Sequence, residues 1–227
     1  MSDLSERRRR AAEASGGTSE EAIYTALTDK LRELGAHGDV LDFGAGTGAL
    51  TSRLVETGLF DSVSGADMMA RPPELPPGIL WLAQDLNDPL EVSAASFDVV
   101  VAAEVIEHLE NPRAVAREWF RLLRPGGLLL LSTPNNESIR SLVALLVRGH
   151  YVAFGDGSYP AHITALLRKD LVRILSEAGF LEVTFVFTNR GGIPGRPSVT
   201  WQAISAGLLQ GLRWSDAVLA SAFKPKG

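Results

Sequence analysis

Val40-Leu-Asp-Phe-Gly-Ala-Gly-Thr-Gly48 is a short apolar stretch that runs straight into glycines, and Ala49 to Glu56 then continues at helical spacing. Glycine has no Cβ to hold a ligand off the backbone and tolerates positive φ, so a strand, a glycine turn and a helix in this order make a cradle. In an open α/β sheet such a turn lies outside the carboxyl ends of the strands, where ligands bind.

Working outward, Ser19 to Leu34 reads as a helix capped by Ser19, with Ile23, Leu27, Leu31 and Leu34 on one face. Downstream, Ser62 to Asp67, Ile79 to Ala83, Phe97 to Ala103 and Leu128 to Ser132 read as strands. Phe97 to Ala103 is nearly continuous in apolar residues, as expected of a strand covered on both faces. Pro72, Pro73, Pro76 and Pro77 make the stretch between the second and third strands irregular. Pro112 to Arg124 is a helix with proline in its first turn and a basic end, and Pro125-Gly-Gly127 turns it into the fifth strand.

The last third changes character. Ser138 to Val147 is a helix inside an insertion, Arg168 to Ala178 is another, and Leu181 to Phe187 and Ser215 to Phe223 are strands with a helix between them. Strands alternating with helices give an α/β fold with a doubly wound parallel sheet, closed along one edge by the last two strands. The expected organisation is a flexible arm over residues 1–18, one domain over 19–227, and a lid over about 135–167. The arm holds the basic run Arg7 to Arg10.

At 227 residues, with 45% hydrophobic and 22% charged residues, the chain can build a core without staples. The absence of cysteine excludes disulfides, thiolate zinc sites and a cysteine nucleophile. A net charge of −5 argues against a nucleic-acid partner. No apolar run is long enough to span a bilayer and no secretory signal is read at the N-terminus, so the expected location is the cytoplasm.

Asp42 ends the first strand, Asp67 the second, and Asp85 follows the third. Taken alone, the glycine loop is compatible with a dinucleotide, since Gly44, Gly46 and Ala49 fit G-x-G-x-x-A, or with no ligand at all. Asp42 decides against a diphosphate, because two negative charges would meet at short range. Carboxylates at the ends of three consecutive strands suit a cationic adenosine derivative: Asp67 for the ribose hydroxyls, Asp85 for the adenine amine.

Here the motifs carry a family likeness. Val40 to Gly48, Gln84-Asp-Leu86, Phe97-Asp-Val-Val-Val-Ala-Ala-Glu-Val-Ile-Glu-His108 and Leu123-Arg-Pro-Gly-Gly-Leu128 resemble, in order and spacing, the motifs of class I S-adenosylmethionine-dependent methyltransferases. The resemblance runs from about Val40 to Phe223. It implies a Rossmann-like, seven-stranded, mostly parallel sheet with an antiparallel terminal strand, and S-adenosylmethionine as cofactor. It places Asp42, Gly44, Ala45 and Gly46 against the methionine part, Asp67 and Met68 at the ribose and adenine, Asp85 and Leu86 at the adenine edge, and Ala103 and Glu104 near the amine.

On the acceptor side, Glu104, Glu107 and His108 share a face if the segment after the fourth strand is helical. Glu104-Val-Ile-Glu-His108 resembles the Glu-x-x-Glu-His of ubiquinone-biosynthesis O-methyltransferases and of small-RNA 2′-O-methyltransferases, where it binds a divalent metal; in the RNA enzymes a later histidine joins it, a part open to His162. The same pattern is widespread among methyltransferases of small molecules and bacterial glycans, where the resemblance implies no metal. Three roles therefore stand side by side: a metal site, His108 with Glu107 and His162 as base or substrate contacts, and plain structure. His37 and His150 have no partner in the sequence. Tyr151, Phe154 and Tyr159 between glycines suit a mobile lid. The expected function is methyl transfer to a small-molecule acceptor, foremost a hydroxyl of a sugar, quinone or natural product. The competing functions are RNA 2′-O-methylation, nicotinamide-dependent oxidoreduction, and cofactor binding without catalysis.

Overall fold

A computed structural model describes residues 3–227. In chain order its elements are α1 (Asp3–Ala14), α2 (Glu21–Glu33), β1 (Gly38–Phe43), α3 (Ala49–Thr57), β2 (Phe60–Asp67), β3 (Leu80–Ala83), β4 (Phe97–Ala103), α4 (Pro112–Leu122), β5 (Leu123–Pro134), α5 (Ile139–Arg148), α6 (Arg168–Ala178), β6 (Leu181–Phe187), β7 (Gly192–Ile193), β8 (Arg196–Thr200), α7 (Trp201–Ile204) and β9 (Ala217–Phe223).

Seven strands form one sheet in the order β3-β2-β1-β4-β5-β9-β6. All neighbours from β3 to β5 run parallel, while β9 is antiparallel to both β5 and β6. The order reverses between β1 and β4, which is where the glycine turn emerges. The continuous apolar runs now have their explanation. Leu41, Val100, Leu129 and Leu131 enter one core with Trp119 and Leu122 of α4 and Leu171 and Leu175 of α6. Val40, Val99, Val101, Leu128 and Leu130 alternate to the other face, against Leu27 and Leu31 of α2 and Leu50 and Leu54 of α3. With both faces roofed by helices, a polar residue in these strands would be buried on either side. Trp119 is fully buried and meets Phe43 edge-on, ring centroids 5.7 Å apart.

The differences from the sequence expectation sit at the margins. Residues 1–18, expected as a flexible arm, carry α1; Met1 and Ser2 lie outside the described residues. Glu6 with Arg10 and Arg9 with Glu13 pair at i,i+4 along its outer side, a pattern that supports a helix of low apolar content. Ser19 does not cap α2: Glu20 holds that position without a side-chain bond, while the Ser19 N–H donates to the Tyr24 hydroxyl at 2.7 Å. The region expected to hold a helix between the last strands contains a β7–β8 hairpin and only the four residues of α7. Arg190 to Arg196 leads into and turns that hairpin. Among the described residues no helix is long and apolar enough to cross a membrane.

Candidate active site

A cavity of about 600 Å³ opens at the carboxyl ends of the parallel strands. Its wall includes Asp42, Gly44, Ala45, Gly46, Asp67, Met68, Asp85, Leu86, Ala103, Glu104, His108 and His162, so every expected site residue except Glu107 lines it. Glu107 lies fully buried beside it.

The glycine turn is built for close approach. Gly46 has φ +51°, and a Cβ there would stand 2.2 Å from the carbonyl oxygen of Gly17. Its N–H donates to one carboxylate oxygen of Asp67 at 2.8 Å, and the Met69 N–H donates to the other at 2.8 Å. Burial raises the Asp67 carboxyl while these backbone donors pull it back. Asp42 is fully buried, and one of its oxygens accepts the Thr51 hydroxyl at 2.6 Å. The other has no partner, and burial pushes the carboxyl up to about 7. Glu104 closes this end of β4 with φ +55°, a left-handed conformation that costs a non-glycine residue about 1 kcal/mol or more. Its Oε1 is shielded and partnerless, and burial, with Glu20 nearby, pushes this carboxyl also to about 7. Two desolvated, unsatisfied carboxyls facing one cavity leave it with an unmet demand for positive charge.

Asp85 lines the same cavity with both of its oxygens bonded. One oxygen accepts the N–H and side-chain amide of Asn87, each at 3.0 Å, and the other accepts Arg8 at 3.0 Å. Its carboxylate is already engaged by protein donors.

After Glu104 the chain makes a single 3₁₀ turn, Ile106–His108, rather than an α-helix; Glu107 is fully buried, while His108 lines the cavity. Glu107 accepts the Thr133 hydroxyl at 3.0 Å, and its backbone carbonyl accepts Ile163 and Thr164 N–H at 3.0 Å each. Those backbone bonds fasten the segment that carries His162. The rings of His108 and His162 stand 4.6 Å apart, edge to face. Each Nδ1 lies against a backbone carbonyl, His108 with Ala161 at 2.9 Å and His162 with Ala153 at 2.6 Å. A carbonyl only accepts, so each Nδ1 carries the proton and each Nε2 keeps a lone pair. Burial lowers both rings, His108 to about 4 with His162 adding to the effect, so both are neutral at pH 7. Glu107 is pushed up by burial and then by Glu104.

Glu107, His108 and His162 each offer a ligand atom, all within 4.8 Å of one another. Two metal–ligand bonds of about 2.1 Å span at most about 4.2 Å, so the trio would draw in slightly around an ion. The donor set fits a divalent cation: two imidazole lone pairs on rings whose Nδ1 atoms are held by backbone carbonyls, and a Glu107 oxygen with no other partner.

Sequence reasoning missed one wall of the cavity. Leu4, Arg7, Arg8, Ala11, Ala12 and Ser15 of α1 and its exit line it. Their i, i+3, i+4, i+7 spacing was legible, but the residues are too small or too charged to read as an apolar stripe. Asn136 was missed as well; it donates to the Leu166 carbonyl at 3.0 Å and keeps a buried, partnerless Oδ1 in the cavity wall. His37 and His150 each bond a carbonyl within two residues and take no part.

Comparison with known proteins agrees with this geometry. The methyltransferase-domain family matches residues 17–184. A ubiquinone biosynthesis O-methyltransferase from Xanthomonas axonopodis pv. citri is 30% identical over 194 residues, covering 78% of each chain. Among solved structures, an S-adenosylmethionine-dependent methyltransferase from Archaeoglobus fulgidus superposes with TM-score 0.62 at 19% identity, covering 93% of this chain and 97% of that one. The 1,6-didemethyltoxoflavin-N1-methyltransferase of Burkholderia thailandensis, bound to its acceptor and S-adenosylhomocysteine, superposes with TM-score 0.60 at 19% identity, covering 91% and 80%.

Proposed function

The chain belongs to the methyltransferase-domain family and is an S-adenosylmethionine-dependent methyltransferase, and we propose that it methylates a hydroxyl of a small molecule: a sugar, a quinone or another natural product. The cofactor then lies along the carboxyl ends of β1, β2 and β3. Asp42, Gly44, Ala45 and Gly46 meet its methionine part, Asp67 the ribose, Met68 and Leu86 the adenine, and Ala103 and Glu104 the amine. Residues 19–227 act as one domain, with 135–167 as a lid over the acceptor.

The observation that carries the hydroxyl reading is the pair of neutral histidines with free Nε2 atoms at the cavity wall. An acceptor oxygen attacks the methyl carbon, the carbon–sulfur bond breaks with its electrons going to sulfur, and the hydroxyl proton passes to His108 Nε2. Much of the rate comes from alignment, which the cavity supplies by holding both partners. A base near 4 is weak, so the acidity of the acceptor matters. A phenolic hydroxyl near about 10 leaves a smaller gap than an aliphatic alcohol. This favours the phenolic form of a quinone precursor, in keeping with the name of the Xanthomonas relative. A divalent cation held by Glu107, His108 and His162 would take up the His108 Nε2 lone pair and stand in place of the base, supplying Lewis acidity that lowers the hydroxyl pKa.

The test is release of demethylated cofactor by the purified chain offered diphenols, monosaccharides and amines, with and without EDTA. Turnover on diphenols that disappears in His108→Asn supports the reading. Turnover on amines alone, indifferent to His108, overturns it.

A further inference from the structure

Among the described side chains of helix α1 none is fully buried, and its Leu4 is half exposed. It is not held by apolar packing, yet it forms a wall of the cavity through Leu4, Arg7, Arg8, Ala11 and Ala12. Two polar fastenings place it there. At one end Arg8, only 16% exposed, is bidentate on Glu110 (Nη2 to Oε2 at 2.6 Å, Nε to Oε1 at 3.1 Å) and reaches Asp85 at 3.0 Å and Asp88 at 3.4 Å. Asn87 ties the two main carboxylates together: its amide bonds Asp85, and its Oδ1 accepts the Glu110 N–H at 2.9 Å. At the other end the Gly17 carbonyl accepts the Thr47 N–H at 3.0 Å and its hydroxyl at 3.2 Å, which pins the helix exit to the glycine turn. The family match begins at residue 17, so α1 lies outside the matched residues.

We propose that Arg8 is a cofactor-positioning residue: by clamping Glu110 and Asp85 it fastens α1 across the adenosine end of the cavity, and the small side chains of Ala11 and Ala12 close over the bound adenosine. This rests on the cofactor placement proposed above, with the ribose at Asp67 and the adenine at Met68 and Leu86. A helix fastened through Arg8 to three carboxylates docks by charge and is loosened by molar salt, since the screening length falls to about 3 Å at 1 M, the span of these pairs, and Glu110 and Asp88 are exposed to the solution. The clamp also explains why Asp85 is taken up by the protein: it anchors the cover.

Calorimetric titration of the full chain with S-adenosylhomocysteine tests the proposal, on wild type, Arg8→Ala, Arg8→Lys and Asp67→Ala at low and high salt. Arg8→Ala should weaken binding about tenfold at low salt, the scale of a charge-assisted hydrogen-bond pair. Arg8→Lys should recover part of it. High salt should weaken wild type toward the Arg8→Ala value and leave that variant nearly unchanged, and the ligand should protect the Arg7–Arg10 run of wild type from trypsin but not that of Arg8→Ala. The unliganded melting temperature checks that Arg8→Ala remains folded, as expected for a helix with no buried core residue. Wild-type affinity, salt dependence and trypsin protection in Arg8→Ala, alongside collapse in Asp67→Ala, would overturn the clamp while sparing the cofactor placement. Unchanged affinity in Asp67→Ala would instead remove that placement.

Discussion

His108 and His162 turn their Nδ1 atoms away from each other, each onto a backbone carbonyl, so that two neutral rings 4.6 Å apart keep both Nε2 lone pairs free. Replacing either ring therefore removes a base or ligand without touching the adenosine end. His108→Asn should lower turnover at saturating cofactor by about a hundredfold or more, within the range for loss of a general base. His162→Asn should cost less, because the direct proton acceptor survives. Calorimetry should find S-adenosylhomocysteine affinity essentially unchanged in both; a parallel loss of cofactor binding would place the rings in the cofactor site instead.

Asp42 and Glu104 sit near 7 before ligand binds and must be ionised to meet a cationic cofactor. Cofactor affinity should thus rise with pH up to about 7 and level off above it, by up to about tenfold per pH unit for each carboxyl that loses a proton on binding. Asp42→Asn should weaken binding and flatten part of the profile. Titrations at pH 5.5, 6.5, 7.5 and 8.5 would show this, and a wild-type affinity independent of pH would contradict it.

The unliganded protein should respond in the opposite sense. A carboxyl raised on folding binds its proton more tightly in the native state than in the unfolded chain. Its stabilising contribution is complete below the unfolded value near 4 and is lost as pH rises through about 7. Melting temperature without cofactor should fall between pH 5 and 7.5 on account of Asp42 and Glu104, and saturating cofactor should reverse part of the fall. Asp42→Asn should melt with a shallower slope; an unaltered slope would assign the pH sensitivity elsewhere.

Gly46→Ala meets two obstacles, a φ of +51° and a Gly17 carbonyl 2.2 Å from the new Cβ. The left-handed conformation alone costs about 1–2 kcal/mol, and the clash would push the α1 exit off the glycine turn. Stability should fall by that order, and S-adenosylhomocysteine affinity by about tenfold or more. Gly58→Ala is the control: its φ of +65° is similar, with open space around it. It should lose stability but keep affinity, and equal losses of affinity in both variants would deny the glycine turn its special place.

The sheet was legible because its central strands have no polar face. Val99 to Val101 and Leu128 to Leu131 have to be covered on both sides, and only a helix-roofed parallel sheet does that. Asp42 and Asp67 were legible for a related reason, since a charge at the end of such a run needs a partner. What escaped was decided by contacts distant in sequence. Arg8 reads as one of four arginines in a polar stretch until Glu110, 102 residues on, shows what it binds. Glu104, Glu107 and His108 were expected on one helical face, but Glu104 takes a positive φ and the following turn is 3₁₀, with Glu107 fully buried. The β7–β8 hairpin has too few residues and too many glycines and prolines to show a period.

β9 lies between β5 and β6, though it is the last strand in the chain. As the polypeptide leaves the ribosome, Leu181–Phe187 emerges with no neighbour to join, and the backbone of Leu128–Pro134 stays unzipped along one side. Only when Ala217–Phe223 arrives and threads between them can either complete its ladder. Until that moment the nascent protein carries two sticky borders, each able to capture a stranger's strand. Assembly of this molecule is therefore governed by its final segment, and shortening the chain ahead of Phe223 would leave an aggregation-prone remainder rather than a trimmed enzyme.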